Sequence, residues 1–198
     1  MTLEETWVEP VLLCGQHIRL EPLDPALHAA PMFEFFEPRV TTFLGPSSSI
    51  PIESVEAMQA HLEQQRSRSD CVHWAVRMIK TNAIAGRVMF ADVQSADACL
   101  EIGTVLMPTF WGGFANAESK LLLLTRVFEV LGANRVQFTV DSENSRSIAA
   151  LQKIGVVQEG VRRQCRIRKD GSVRDHLMFS VIHSEWQRVK ANLKTRVG

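Results

Sequence analysis

The sequence lacks the residue patterns that hold disulfides and metal ions. Its 198 residues include only four cysteines, which stand far apart, and there is neither a C-x-x-C pair nor an H-E-x-x-H motif. These absences argue against a disulfide framework and predict that no metal is bound. Tyrosine is missing altogether, so no phenolic hydroxyl can serve as a catalytic acid.

The chain also lacks an excess of either charge and a long apolar run. Its 22 lysine and arginine residues balance 22 aspartate and glutamate residues, so its net field does not draw it to nucleic acid or to an anionic membrane. No stretch approaches the roughly 18 apolar residues of a membrane span, and the opening MTLEETWVEP is acidic rather than basic. We therefore expect a cytoplasmic protein without membrane contact, and nucleic acid is not an expected partner.

Hydrophobic residues make up 45% of the chain, which is enough for one core. We expect a single domain over residues 1–198, with an N-terminal arm at 1–14 and a C-terminal helix at 184–198. Strands are predicted at 16–23, 72–79, 84–90 and 100–107 from alternating apolar residues. Helices are predicted after the N-cap Asp24 and over 54–68, on either side of the turn-rich segment 45–51.

The second half of the chain changes character. Apolar residues from Ala117 to Leu131 share one helical face, and residues 135–141 alternate as a strand. A short helix follows Asn144 and ends at Gly155, and two strands, 158–168 and 173–182, are joined by a turn at 169–171. The pattern predicts an α+β fold: a mixed, mostly antiparallel sheet flanked by helices, with a central βαβ unit.

The loop of the βαβ unit, residues 108–116, is a candidate anion site. Gly112 and Gly113 let backbone amides approach a ligand closely, and the following helix places its positive dipole end at the same place. A Gly-Gly pair before a helix is also common in ordinary turns, so the loop alone leaves both interpretations open.

Three segments in order, LEIGTVLMP, FWGGFANAESKLLLL and RVQFTVDSENSRSIAALQKIG, resemble the acetyl-CoA-binding core of GNAT N-acetyltransferases. The later EGVRRQCRIRKDGSVRDHLMFSVIHSEW resembles the closing hairpin of the RimL/RimJ-like branch. The resemblance extends from about Gly15 to Trp186. It implies an acyl-CoA-binding βαβ unit and an enzyme that transfers an acetyl group from acetyl-CoA to a primary amine, such as a protein N-terminus, by direct attack in a ternary complex.

The resemblance also implies a set of residues that contact acetyl-CoA: Leu106, Met107, Trp111, Gly112, Gly113, Phe114, Ala115, Asn116, Ala117, Asn144 and Ser147. A backbone N–H near Leu106 or Met107 is expected to polarise the thioester carbonyl. The family's phosphate loop usually reads Q/R-x-x-G-x-G/A, and the sequence departs from it by placing Phe114 where a glycine is expected.

Two side chains are candidates for proton transfer. Glu101 opens the strand that leads to the loop, where a carboxylate can accept the amine proton directly or through water. Many relatives use a tyrosine as the acid, which this chain lacks, and the resemblance points to Ser147 instead. Each residue also has a structural interpretation, Glu101 as a solvated strand-end acid and Ser147 as a helix-start hydroxyl, while Asn144 can bind pantetheine or simply cap its helix.

Two other functions fit parts of the sequence. Phe114 and the missing tyrosine are compatible with a catalytically weak acyl-CoA-binding protein. The basic run at 161–169 is compatible with a ribosome-associated or RNA-binding module, although charge runs are usually solvated surface. An acceptor groove is expected between residues 24–69 and a loop near Arg174, Asp175 and His176, and a homodimer is compatible with exposed strand edges.

Overall fold

The computed structural model describes residues 7, 9–45, 51–168 and 170–198, which together form one mixed sheet of eight strands with helices on both faces. The strands lie in the order β1-β2-β3-β4-β5-β6-β8-β7. Their bounds are β1 Leu13–Cys14, β2 Ile18–Pro22, β3 Cys71–Met78, β4 Ile84–Gln94, β5 Cys99–Leu106, β6 Arg135–Asp141, β7 Val157–Ile167 and β8 Val173–Ile182. The predicted α+β fold is confirmed.

The helices follow the caps that the sequence provides. They are α1 Pro25–Phe33, α2 Val55–Arg66, α3 Ala115–Thr125, α4 Ser145–Ile154 and α5 Trp186–Val197. Asp24 caps α1 by accepting a hydrogen bond from Ala26, and Asn144 caps α4 by accepting one from Ser147. Gly155 ends α4 in the left-handed conformation, as a C-terminal glycine does.

Several predicted boundaries differ from the structure. Arg174, Asp175 and His176 lie inside β8 and not in a loop, because the alternating strand begins already at Val173. β4 runs on to Gln94, and a turn at 183–185 precedes the C-terminal helix. Parts of the predicted N-terminal arm (1–6 and 8), of the turn-rich segment (46–50) and of the hairpin turn (169) lie outside the described residues.

The two faces of the sheet carry different helices. Trp74, Phe90, Leu100 and Ile102 belong to the main core, which α3 and α5 cover. A second cluster on the opposite face joins Ala75 and Met107 to apolar side chains of α1 and α2. Alternate residues of a strand point to opposite faces, so each strand contributes to both layers.

One parallel strand pair interrupts the antiparallel sheet. β5 and β6 pair at Cys99 with Arg135, Leu100 with Val136 and Glu101 with Gln137, after which the two strands diverge. β4 continues to pair with β5 as far as Leu106, and β8 pairs with β6 as far as Asp141. The sheet therefore opens between β5 and β6, and we call this opening the split.

Gly86 sets how closely β4 approaches the end of β5. It has φ +143°, and a Cβ built on it would lie 2.8 Å from Leu106 Cα and would also clash with the Val105 carbonyl oxygen. Both obstacles are backbone, which cannot move aside as a flexible side chain can. The glycine is therefore required for the geometry of the split.

Gly86→Ala is expected to lower the free energy of unfolding by about 2–3 kcal/mol, because the substitution adds both a clash and a strained φ. Urea titration followed by circular dichroism measures the change. Gly160→Ala is the control, since a Cβ at Gly160 meets no atom within 4 Å. Equal stability of the two variants would contradict a special role for Gly86.

Candidate functional site

The split opens into a cavity of about 920 Å³. Its walls come from β5, β6, Met89 of β4, the loop after β5, the beginning of α3, the length of α4, and residues 40, 43, 44 and 195–198. This volume lies in the range of small-molecule and cofactor sites in proteins. The structure thus brings the predicted catalytic and binding residues to one cavity, except Met107 and Ala115, which are buried and do not line it.

The edges of the split carry backbone hydrogen-bonding groups without a strand partner. Met107 N–H donates to the Ala85 carbonyl at 2.8 Å, and hydrogen-bonded pairs alternate along an antiparallel ladder. The N–H and C=O groups of Thr104 and Leu106 therefore point away from β4 and toward the split, as does the C=O of Ile102, whereas the Ile102 N–H is used in the pairing of Glu101 with Gln137. An extended ligand with its own amides can pair with this edge as an added strand would.

This alternation decides between the two expected carbonyl-polarising donors. Met107 N–H is already bonded to Ala85, so of the two expected donors Met107 is the one that is not free to polarise a ligand carbonyl. Leu106 N–H faces the split. The Leu106 carbonyl oxygen accepts a hydrogen bond from the indole Nε1 of Trp111 at 2.7 Å. Leu106 therefore remains the backbone donor that can polarise a ligand carbonyl.

The N-terminus of α3 is open toward the cavity. No side chain of the described residues caps it, and the amides of Ala115, Asn116 and Ala117 have no acceptor within the helix. Asn116 and Ala117 line the cavity together with Gly112 and Gly113. Glu118, the acid of this turn, instead accepts hydrogen bonds from the backbone of Gln16 and His17, so the site keeps its positive character for an anion.

Phe114 occupies the N-cap position of α3. Its ring packs on the His17 ring, with the centroids 4.5 Å apart, so a contact outside the loop holds this bulky side chain. Counting the pattern Q/R-x-x-G-x-G/A from Gly113 puts Phe114 at the variable position and Ala115 at the final small position. With this count the departure from the pattern lies at Phe110, which stands at the Q/R position, and not at Phe114.

Glu101 lies at the inner end of the split and lines the cavity. Its carboxylate accepts hydrogen bonds from Thr139 Oγ1 at 2.9 Å and from Gln137 Nε2 at 3.3 Å. Burial raises the pKa of Glu101, the nearby Asp92 adds to this effect, and the two hydrogen bonds partly oppose it. A carboxylate fixed by neutral donors and with a raised pKa is suited to accept a proton.

Ser147 and Asn144 line the cavity from α4. The Asn144 side-chain oxygen accepts a hydrogen bond from Ser147 N–H at 3.2 Å, so the capping interpretation of Asn144 is confirmed. Its amide nitrogen is still available to a ligand. α4 packs with the main core through Leu151 and Ile154, so Ser147 lies on the α3 side of the sheet, whereas Glu101 points to the opposite face.

Trp111 connects the two walls of the cavity. The Arg146 guanidinium of α4 lies 3.3 Å from the centroid of the indole ring, and that of Arg39 lies 5.3 Å from it. Cation–π contacts of this kind are favourable. They hold α4 against the loop that precedes α3.

Lys120 is a cavity residue that the sequence did not reveal. It is 6% exposed, and its ammonium donates to Asn116 Oδ1 at 2.5 Å and to Thr104 Oγ1 at 3.4 Å. Burial lowers the pKa of Lys120 to about 8. The spacing of Asn116 and Lys120 by one helical turn is a signal for this contact, but the burial depends on β5.

The described part of the basic run at 161–169 is only partly neutralised by ion pairs. Arg168 forms ion pairs with Asp141 at 3.1 Å and Glu143 at 2.9 Å, while Arg162 and Arg163 are exposed. Arg174 also contacts Asp141 and donates to the Phe43 carbonyl at 2.7 Å. These contacts tie β8 and residue 43 to the end of β6, beside the split.

Three further features of the part of the chain that the structure describes concern metal ions, membranes and thiols. No group of three or more His, Cys, Asp or Glu side chains there is arranged to hold a metal ion. None of the described helices has the length and apolar character needed to cross a membrane. All four cysteines are free thiols.

Comparisons with known proteins agree with this geometry. The family model described as Acetyltransferase (GNAT) domain matches residues 17–157. A structure from T. thermophilus, itself only provisionally assigned as an acetyltransferase, is 42% identical with a TM-score of 0.88 and covers 97% of this chain and 100% of its own. The Uncharacterized N-acetyltransferase p20 of Bacillus licheniformis is 25% identical over 151 residues, which are 76% of this chain and 84% of that protein.

A more distant structure shares the fold. Mycobacterium smegmatis RimJ in complex with CoA-disulfide is 18% identical, with a TM-score of 0.74, and 90% of each chain is covered. At this identity the likeness concerns the arrangement of strands and helices alone.

Proposed function

The chain belongs to the GNAT acetyltransferase family, and we propose that it transfers an acetyl group from acetyl-CoA to a primary amine by direct attack in a ternary complex. Family membership makes it an acyltransferase. The specific proposal is based on the split, where backbone amides without a strand partner, Ser147 and Glu101 line one cavity. The RimJ structure with CoA-disulfide, which has the same fold, supports a CoA thioester as the donor.

The residues present fit the donor's chemistry. The amides at the start of α3, with Gly112 and Gly113, suit a pyrophosphate, and the β5 edge suits the amides of pantetheine. Lys120 and Asn144 add side-chain donors beside this path. Met107 directly follows β5 and offers no backbone N–H to the ligand, since its N–H is bonded to the Ala85 carbonyl.

The two proposed proton transfers take place on opposite faces of the sheet, one at Glu101 and one at Ser147. Glu101 accepts the proton of the attacking amine, directly or through one water, on the face that carries α1 and α2. Leu106 N–H polarises the acetyl carbonyl. Ser147 donates a hydrogen bond or a proton to the departing thiolate from the α4 side, the role that a tyrosine has in many relatives.

The acceptor is proposed to bind between residues 38–44 and the split. Val40, Phe43 and Leu44 line this side of the cavity, and Arg174 joins the segment to β8. We assign the chain to the RimL/RimJ-like branch on the closing hairpin, and an N-terminal amino group of a protein is a candidate acceptor. The position of Phe114 against His17 weighs against the weak acyl-CoA-binding alternative, and the pairing of Arg168 weighs against an RNA-binding hairpin.

Calorimetric titration of the protein with acetyl-CoA tests the proposal. Micromolar affinity is expected, together with release of free CoA thiol when a primary amine is supplied. Failure to bind millimolar acetyl-CoA would overturn the proposal. Binding without turnover across a broad amine panel would instead select the acyl-CoA-binding alternative.

Three further expectations stay predictions. A single domain is supported by one sheet that extends from Leu13 to Ile182. A homodimer is supported by the edge strand β7, whose Val157, Val161 and Ile167 are exposed. The cytoplasmic location rests on the sequence alone.

A further inference from the structure

Arg87 is a buried charge without a countercharge. It lies in β4 and is 4% exposed. Its guanidinium has three neutral partners: His73 Nδ1 at 3.3 Å, Gln65 Oε1 at 3.4 Å and Met89 Sδ at 3.6 Å. No carboxylate of the described residues forms an ion pair with it, and a buried unpaired ion is strongly unfavourable unless something compensates it.

The surroundings of Arg87 keep its charge and give it hydrogen bonds, but no opposite charge. Burial lowers the pKa of Arg87 to about 10, so the guanidinium is still charged at neutral pH. Burial and the positive charge of Arg87 lower the pKa of His73 to about 3, so the imidazole is neutral. Arg68, whose charge also acts on Arg87, is paired with Asp70 at 2.7 Å.

Arg87 shares a sheet face with Glu101. In the β4–β5 register Arg87 pairs with Val105, Met89 with Gly103 and Ala91 with Glu101. The guanidinium leans toward Met89, which lines the large cavity, and Met89 in turn covers Gly103. Met89 therefore separates the guanidinium from the cavity that holds Glu101.

The two sites also adjoin through a small cavity. Arg87 lines a space of about 20 Å³ that shares Val40, Leu44 and Val105 with the large cavity. This is room for about one water molecule. Methionine is unbranched and flexible, so its thioether can move aside for a larger group.

We propose that Arg87 forms an acceptor subsite for a carboxylate, so that the enzyme selects amines that carry an acidic group. The carboxylate replaces the Met89 sulfur as partner of the guanidinium, while the amine lies at Glu101. In the β4–β5 register, the cross-strand pair that contains Met89 and the pair that contains Glu101 are two residues apart along the strands, or roughly 7 Å. An ω-amino acid of five carbons spans roughly 6 Å from nitrogen to carboxyl carbon. The inference rests on the proposed function for its choice of acceptor, but not for the anion site itself.

Binding of pentanoate tests the subsite without any turnover. We expect saturable binding to the wild-type protein by calorimetry and at least tenfold weaker binding to Arg87→Met. Arg163→Met is the matched control, because Arg163 is exposed on β7, and it should bind pentanoate as the wild type does. Equal binding by Arg87→Met and the wild type, or no binding by the wild type, would overturn the subsite.

Kinetics with paired acceptors separate binding from a structural role. The wild type should use 5-aminopentanoate with a kcat/KM at least tenfold above that for pentylamine, and Arg87→Met should bring this ratio to about one. A structural role would lower both rates and leave the ratio unchanged, which would overturn the proposal. If Arg87→Met does not fold, competitive inhibition of the wild type by pentanoate against the acceptor, reduced in Arg87→Lys, decides the question.

The outcomes distinguish the two proposals. Pentanoate binding that requires Arg87, without turnover of any amine, would keep the subsite and remove the acetyltransferase function. Equal use of 5-aminopentanoate and pentylamine by the wild type would keep the function and remove the subsite.

Discussion

Glu101→Gln is expected to lower kcat/KM by about 10²–10³-fold at neutral pH, in the range of general-base catalysis. Glutamine has nearly the same shape and its carbonyl oxygen can still accept the Thr139 hydrogen bond, so the fold should persist. The affinity for acetyl-CoA should also persist, because Glu101 lies beyond the proposed phosphate and pantetheine contacts. Steady-state kinetics and calorimetry on the same preparation separate these effects.

The acceptor chosen for this assay changes the expected size of the loss. An α-amino group has a pKa of roughly 7.7–8.0, whereas an alkylamine such as lysine has one near 10.4. The weaker acid needs more help to lose its proton, so Glu101→Gln should impair an alkylamine acceptor more than an α-amine. Unchanged turnover of both acceptors would remove Glu101 from the mechanism.

The pH profile gives a second readout of the same residue. Burial raises the pKa of Glu101, and only the ionised carboxylate can accept a proton. The kcat/KM should therefore fall as the pH falls through this raised pKa, at a higher pH than for an exposed glutamate. Asp92→Asn removes a nearby negative charge that helps to raise the pKa of Glu101, so the fall in kcat/KM should occur at lower pH in this variant. In Glu101→Gln this fall in kcat/KM should be absent.

The sequence predicted those elements whose signals are local. β6 has its predicted bounds, 135–141, because the alternation of Val136, Phe138 and Val140 is uninterrupted. Asn144 and Gly155 place the ends of α4, because capping depends on residues next to the helix. Gly112 and Gly113 indicated the candidate anion loop for the same reason.

The sequence did not predict features that depend on contacts between residues far apart in the chain. The choice of Leu106 over Met107 depends on the bond to Ala85 across β4. The hydrogen bond that fixes Glu101 comes from Thr139, 38 residues away. Lys120 and Arg87 look like ordinary surface charges in the sequence. Lys120 is buried where α3 meets Thr104 of β5, and Arg87 is buried where α2 packs on β3 and α1 on β4.

Ala117→Asp is expected to weaken acetyl-CoA binding by at least 100-fold without destabilising the protein. Residue 117 lies in the first turn of α3, where a carboxylate interacts favourably with the helix dipole and adds about 0.3–1 kcal/mol of stability. The same carboxylate would stand where we place the pyrophosphate, and two like charges about 4 Å apart near a protein surface repel by about 4 kcal/mol. The opposite signs of the two effects make the prediction specific to an anion site.

Calorimetry with acetyl-CoA and thermal unfolding measure the two effects of this substitution independently. Ala117→Asn is the control, because asparagine has the size of aspartate without its charge, and it should keep the affinity within a few-fold of the wild type. Loss of affinity in both variants would indicate crowding in the cavity in place of repulsion. Full affinity in Ala117→Asp would mean that the phosphates bind elsewhere, because a charge at the third position of α3 faces the amides of Ala115 and Asn116 that the proposal assigns to them.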